Sequence, residues 1–333
     1  MWLHRPAATG GVRVSQRLDD GDYPEALRLA VQYERGVDLH QVLPILRLAV
    51  AYSYGGRPVK IGWLHDDIGI RGGAELSSET LKRDAPDWVD SIVDCPPNKR
   101  PPDDVALFVV QNCITYHPRW IEELALKPVV KCVRDPWYAG SPVLRRWLLD
   151  NVDLLVFNSP VQRKAFDYPF NAPYVDVPPP LNLQPFRDAA LPEGEREGNV
   201  FVGRADVFKG THTAIDWALR ENEPLDLYGT KWGEYGPLPD TIRFRDEVEY
   251  DRMPYILGRA RRFVFFPMWP EAFGRAVAEA WAAGCELVTG GRIGALWWIA
   301  NRPDDLDRGA ELFWEAVEGG CMLRGAIMEA IGA

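Results

Sequence analysis

Nothing in this sequence is apolar for long enough to cross a membrane. No apolar run approaches the roughly 18 residues that a spanning helix needs. Cysteine is scarce and unpatterned. The five, Cys95, Cys113, Cys132, Cys285 and Cys321, are odd in number and never spaced C-x-x-C. That argues against a disulfide framework and a thiolate zinc site, and fits a reducing compartment. Positive charge is in deficit, with 38 Lys and Arg against 48 Asp and Glu and a net charge of −10. Bulk attraction to nucleic acid or anionic lipid is therefore not expected. No G-x-G-x-x-G follows a strand-like run, which argues against a dehydrogenase. Arg5 and Pro6 come directly after the first four residues, without the apolar core of a secretory leader. The expected compartment is the cytoplasm. Internal repeats and low-complexity tracts are also missing.

What the chain has is length and apolar content. Its 333 residues, 47% hydrophobic and 11% aromatic, suffice for two α/β domains. The most informative stretch runs from Arg262 to Ala295. Phe263 to Phe266 reads as a buried parallel strand. Pro267 and Pro270 then force an irregular turn. A helix is expected from about Ala272 to Ala283, stopped by Gly284, and a second strand over Glu286 to Thr289 leads into Gly290-Gly291. The turn of such a βαβ unit is where an open α/β sheet takes ligands. The amides of Ala272, Phe273 and Gly274 would carry the positive end of the helix dipole and suit a pyrophosphate. Glu271 and Glu279 stand eight residues apart, about 12 Å along a helix axis at ~1.5 Å per residue. Two readings fit. The pair holds the two ends of a nucleotide-sugar, or Glu271 only complements the dipole and Glu279 is an ordinary helix residue.

Before this stretch, residues 24–35 and 39–53 read as amphipathic helices. A strand over residues 59–65 leads through a polar turn to Gly72-Gly73 and a helix from about Ala74 to Lys82. Further strands are expected within residues 103–112, 127–137 and 152–160, the second ending in Arg134-Asp135. Residues 173–197, rich in proline and charge, read as a linker. A strand over 199–204 then opens a second domain, with Arg204 and Lys209 in the loop before a helix over Thr211 to about Glu221. Two cations at a strand's C-terminal end suit a diphosphate leaving group, or are simply solvated. Residues 307–331 look helical, broken by a polar turn at 311–320, and the basic run Arg259, Arg261, Arg262 reads as a solvated helix end.

Four ordered motifs over roughly residues 57–300 resemble those of retaining GT-B glycosyltransferases of family 4, the group 1 glycosyltransferases. They are Gly72-Gly73-Ala74-Glu75, the strand ending in Asn158-Ser159, which the resemblance puts near the cleft, Val202-Gly203-Arg204 followed by Lys209-Gly210, and Glu271-Ala272-Phe273-Gly274-Arg275 followed by Glu279. The resemblance implies that Glu271 contacts the donor sugar and Glu279 the nucleotide ribose, with Phe273 and Gly274 lining the phosphate and sugar site. It implies that Arg204 and Lys209 contact the donor pyrophosphate, and that Gly72 and Gly73 face the donor phosphates. Arg134 stands where many members carry a histidine that reaches the donor sugar. An arginine is always charged and multiply donating, so Arg134 and Asp135 are expected to help select donor or acceptor.

The expected fold is α/β, a GT-B pair of Rossmann-like domains facing across a cleft, with an N-terminal helical extension. The expected boundaries are 1–56 for the extension, 57–178 for an acceptor-side domain, 179–197 for the linker, and 198–333 for the nucleotide-sugar-binding domain with a helical tail. The expected activity is transfer of a sugar from a UDP- or GDP-sugar co-substrate, with retention and with no metal or other cofactor. No D-x-D motif closes a strand, in keeping with the last point. The acceptor is open among lipid, glycan, metabolite and modified nucleobase in DNA. The competing readings are a nucleotide-sugar epimerase of the same fold and a non-catalytic nucleotide-sugar-binding protein.

Overall fold

The computed structural model of this chain describes residues 59–66, 72–97, 99–111, 116, 124, 127–134, 149, 152–166, 170 and 172–330, with backbone alone for 321–330. The expected helical extension over 1–56 lies outside the described residues, as does Asp135. The chain divides into two compact units. Unit one takes the residues up to Phe157, Phe166–Val177 and Ala310 onward; unit two takes Asn158–Ala165 and Pro178–Gly309.

In unit one, β1 (Val59–Leu64) leads to α1 (Gly73–Arg83), followed by β2 (Val89–Cys95), β3 (Leu107–Val110), β4 (Val129–Val133), β5 (Leu154–Phe157) and β6 (Tyr174–Asp176). All pair in parallel, in the order β2-β1-β3-β4-β5-β6. Every residue of β3, β4 and β5 is buried, as a parallel sheet covered on both faces requires. The unbroken apolar runs of β3 and β5 made them legible, and β4 reads as a strand despite the Lys131 that interrupts it. The half-buried β2 and the three-residue β6 have no such run.

Unit two begins with α2 (Pro160–Arg163) and α3 (Gln184–Ala189). Then come β7 (Glu197–Val202), α4 (Thr211–Glu221), β8 (Leu225–Tyr228), β9 (Ile242–Arg245), α5 (Met253–Arg259), β10 (Ala260–Phe265), α6 (Arg275–Ala282), β11 (Glu286–Thr289) and α7 (Gly294–Asn301). Its parallel sheet runs β11-β10-β7-β8-β9. The winding reverses between β7 and β10, so the loops after these two strands flank a topological switch point, where such sheets take ligands.

Four local readings change. Residues 179–197 are not an extended linker: they carry α3 and a 3-10 turn, and Phe186 is 1% exposed within the core of unit two. The helix after β10 starts at Arg275, three residues later than expected, because Glu271 is held in a bridge with Ile293 and Gly274 is left-handed at the N-cap. Arg261 and Arg262 lie on β10, where Arg262 pairs with Glu223 and Glu286 instead of ending a helix. Finally, residues 311–320 form no turn but part of α8 (Gly309–Ala330). From Ala310 on this helix belongs to unit one and not, as a tail, to unit two. Phe313, Trp314 and Val317 are buried there against Trp63, and the Trp314 indole donates to the Leu81 carbonyl at 2.9 Å. Burial of an aromatic side chain is worth a few kcal/mol, which outweighs the weak helix preference of the two glycines, Gly319 and Gly320.

Candidate functional site

The loop after β7 carries Arg204, Asp206, Lys209 and Gly210. Asp206 is 7% exposed and organises it. One of its oxygens accepts from the Lys209 amide at 2.8 Å, and the other accepts from the Arg204 Nε. The Arg204 guanidinium also lies over the Trp232 ring, 4.6 Å from its centroid. Gly210 ends the loop with φ +73°, and a Cβ there would sit 1.6 Å from the Phe266 carbonyl oxygen. Only glycine admits that approach. The Met268 amide donates to the Phe208 carbonyl at 3.0 Å, which ties this loop to the one after β10.

The loop after β10 presents Glu271. Its amide donates to the Arg292 carbonyl at 2.8 Å, and its carbonyl accepts from Gly294 at 3.1 Å. The backbone is thus fixed on both sides, and the carboxylate meets the Lys209 ammonium at 2.7 Å. Gly274 then turns left-handed, φ +86°, close enough to Ile293 and Glu271 that a Cβ would stand 3.1–3.2 Å from both. The amides of Ala272, Phe273 and Gly274 donate to no acceptor among the described residues. Together with the N-terminus of α6 they form a donor-rich corner.

Glu279 sits a turn further along α6, 4% exposed. The Tyr250 hydroxyl donates to its Oε1 at 2.6 Å, and the Arg275 guanidinium stands 3.7 Å from the same oxygen. Burial pushes the Glu279 carboxyl above the usual carboxylate range, against the opposing pull of Arg275 and of the Tyr250 hydroxyl. Burial and the neighbouring carboxylate push the Tyr250 phenol up in turn.

The segment Asn158-Ser159 also belongs to unit two. The Ser159 hydroxyl donates to the Ala272 carbonyl at 2.7 Å and the Trp298 indole donates to the Asn158 carbonyl at 2.8 Å, so this segment braces the turn before α6. Arg204, Lys209, Glu271, Phe273, Gly274 and Glu279 therefore all stand on one end of one sheet.

Solved structures share this arrangement of two parallel sheets. HepE from Anabaena, in complex with UDP and glucose, matches with a TM-score of 0.56 at 15% identity, covering 82% of this chain and 95% of that one. A glycosyltransferase from Rickettsia africae matches at 0.52 and 12% identity, covering 83% and 94%. AviGT4, a glycosyltransferase involved in avilamycin A biosynthesis, matches at 0.51 and 15%, covering 83% and 96%. This is the GT-B fold. No protein-family model and no curated protein matches the chain in sequence.

The remaining candidates of the GT-B chain lie in unit one. Gly72 precedes α1, where its amide donates to the Glu75 carboxylate at 2.9 Å, and Gly73 opens the helix. Glu75 therefore serves as a helix cap. Arg134 follows β4, half-buried, and donates from Nε to the Gln111 amide oxygen at 2.7 Å. Asp206, Trp232, Tyr250 and Arg275 carry no assignment from sequence. Two of them had a local signal: Asp206 lies three residues before the amide it accepts from, and Arg275 lies one helical turn before Glu279. Tyr250 and Trp232 reach their partners from separate loops, without a periodic cue.

Proposed function

We propose that this protein transfers a sugar from a nucleoside-diphosphate sugar to an acceptor. The observation that carries the reading is the corner at the switch point of unit two. There Arg204, Lys209 and the amides of Ala272, Phe273 and Gly274 gather beside Glu271, with Glu279 buried a turn beyond. That set has the order a nucleotide-sugar would need. The donor-rich corner takes the diphosphate, Glu271 takes the sugar hydroxyls and Glu279 the ribose. The UDP and UDP-glucose held by HepE make UDP-sugars the first donors to consider, with GDP-sugars next.

In this reading the departing diphosphate is stabilised by Arg204, Lys209 and the N-terminus of α6, groups already in place before charge develops. We take the transfer to proceed with retention and without a bound metal. The Lys209–Glu271 ion pair then has two duties: it holds the ammonium at the diphosphate and the carboxylate at the sugar.

A thermal-shift and hydrolysis screen of nucleotide-sugars tests the proposal. A matched nucleoside diphosphate at 100-fold its dissociation constant should stabilise the fold by ~2.7 kcal/mol, with and without chelator. Stabilisation by none of UDP, GDP or their sugars would overturn the reading. Transfer lost in EDTA and restored by magnesium or manganese would overturn its metal-free part. Epimer formation from donor alone would replace transfer with isomerisation.

A further inference from the structure

We infer that Asp206 and Trp232 are positioning residues, which together aim the terminal nitrogens of Arg204 at a diphosphate. The inference rests on the donor site proposed above and names how that site is held. The Arg204 guanidinium is constrained on two sides. Its Nε donates to Asp206, and its face lies 4.6 Å from the Trp232 ring centroid. Its two terminal NH2 groups donate to no acceptor among the described residues, and the side chain is 45% exposed. A planar fork with one edge and one face occupied keeps its other edge for an anion, the geometry that makes arginine a bidentate reader of phosphate.

Both holders are themselves fixed. Asp206 is buried and spends its second oxygen on the Lys209 amide. One carboxylate therefore sets the arginine head and the backbone from which Lys209 reaches Glu271. Trp232 is 55% exposed, so core packing does not explain it. Its loop is stitched to the residue after Arg204: the Trp232 amide donates to the Ala205 carbonyl at 2.8 Å, the Ala205 amide donates to Thr230 at 2.9 Å, and the Tyr235 hydroxyl donates to the Ala205 carbonyl at 2.6 Å. These three bonds converge on Ala205, the residue next to Arg204. Asp206 also brings a negative charge close to the proposed anion site. Its net effect is favourable only if fixing the arginine outweighs that repulsion, which makes the sign of its substitution informative.

The test is a binding series by titration calorimetry with UDP, uridine and inorganic pyrophosphate as probes. Trp232→Ala should weaken UDP and pyrophosphate about three- to five-fold, the scale of an exposed cation–π contact, and leave uridine unchanged. Trp232→Phe keeps a ring face and should restore most of the loss. In an Arg204→Ala background, Trp232→Ala should add nothing, because it acts through the arginine. Asp206→Asn should weaken both phosphate ligands about ten-fold. Additive effects of Arg204→Ala and Trp232→Ala, or an equal loss for uridine, would overturn the positioning role of Trp232. Tighter UDP binding by Asp206→Asn would mark Asp206 as a competing charge and overturn its part. If pyrophosphate follows this pattern while UDP and GDP fail to bind, the positioning stands and the nucleotide-sugar reading falls. Failure of the wild-type protein to bind any of these anions overturns both.

Discussion

The described residues at the ends of the two sheets differ in how their side chains are paired. Both have a switch point, between β1 and β3 in unit one and between β7 and β10 in unit two. At the unit-one end, several of the described polar side chains pair with groups nearby. Glu75 takes the Gly72 amide, Arg134 takes the Gln111 side chain, and the fully buried Lys131 donates to the carbonyls of Gln111 and Cys132. At the unit-two end, polar groups are fixed by neighbours yet keep donors in hand: the Arg204 terminal nitrogens and the amides of Ala272 to Gly274. A fold element that satisfies its own donors gains stability; one that holds them fixed and unsatisfied is ready for an anion. Both ends carry glycine motifs, so the motif alone does not separate them. Free first-turn amides occur at both, and what separates them among the described residues is the unpaired terminal nitrogens of Arg204.

The sharpest way to break this comparison is through those glycines. Gly210→Ala must place a Cβ 1.6 Å from the Phe266 carbonyl at φ +73°. It should cost about 3 kcal/mol or more, as a backbone clash in the left-handed region does. Gly72→Ala sits at φ −114°, and its new Cβ meets only the flexible end of Glu75 at 3.0 Å. It should cost less than ~1 kcal/mol. Urea melts of both variants check the pair. Equal losses would mean that the two loops are equally constrained and the contrast is wrong.

The next effect is on turnover. Lys209→Ala removes an ammonium whose only ion-pair partner among the described residues is Glu271. It should cut turnover by roughly 10²-fold if Lys209 stabilises leaving-group charge, with a smaller change in the Michaelis constant. Steady-state kinetics with the matched donor reads both. Normal turnover with an unchanged Michaelis constant would move the diphosphate away from this loop.

The contrast also explains what could be read from sequence. Buried strands of both sheets were legible, since β3, β5 and the buried end of β10, Phe263 to Phe265, are apolar runs. The helix expected from Thr211 to about Glu221 is present as Thr211–Glu221, bounded by Gly210 and Asn222, both left-handed in the structure. The late start of α6 was not, because the bridge between Glu271 and Ile293 joins residues 22 apart and leaves no periodic trace. The assignment of residues 179–197 to a linker failed because three prolines in a row hid a short helix whose one apolar anchor is Phe186. At the candidate site, Glu271, Glu279, Arg204 and Lys209 all stand on unit two, held in part by Asp206, which had only a local turn signal, and by Trp232 and Tyr250, which had none.

Glu279 offers a smaller, pH-dependent effect. In the fold its carboxyl is pushed above the usual carboxylate range, burial being the main cause. A group raised in this way contributes stability that is present below the unfolded value and lost as pH rises through the folded one. Glu279→Gln removes that loss. The melting temperature of the wild type relative to Glu279→Gln should therefore fall as pH rises from about 4 to 7. A flat difference would mean that the carboxylate ionises in the fold as easily as in the unfolded chain. In the same variant UDP binding should weaken more than turnover slows, since ribose hydrogen bonds are made in ground and transition states alike.

The smallest expected effect is at Arg134, and it tests whether the unit-one end has any share in selection. Gln111 is 2% exposed, and its amide oxygen accepts from the Arg134 Nε at 2.7 Å. Arg134→Ala removes that donor and should cost about 1 kcal/mol, the usual price of one such bond. Arg134→Gln is more informative. A glutamine places its amide nitrogen the same number of bonds from Cα as the arginine Nε, so the bond to Gln111 can persist while the charge is lost. Stability should then stay within about 0.5 kcal/mol of wild type. If the charge matters to substrate, preference among donors and acceptors should shift away from those bearing a carboxylate or phosphate. Competition assays with neutral and anionic sugars on the same protein read that shift. If Arg134→Gln keeps wild-type kinetics with every donor and acceptor tried, Arg134 is a structural brace for Gln111 and selection belongs to other residues.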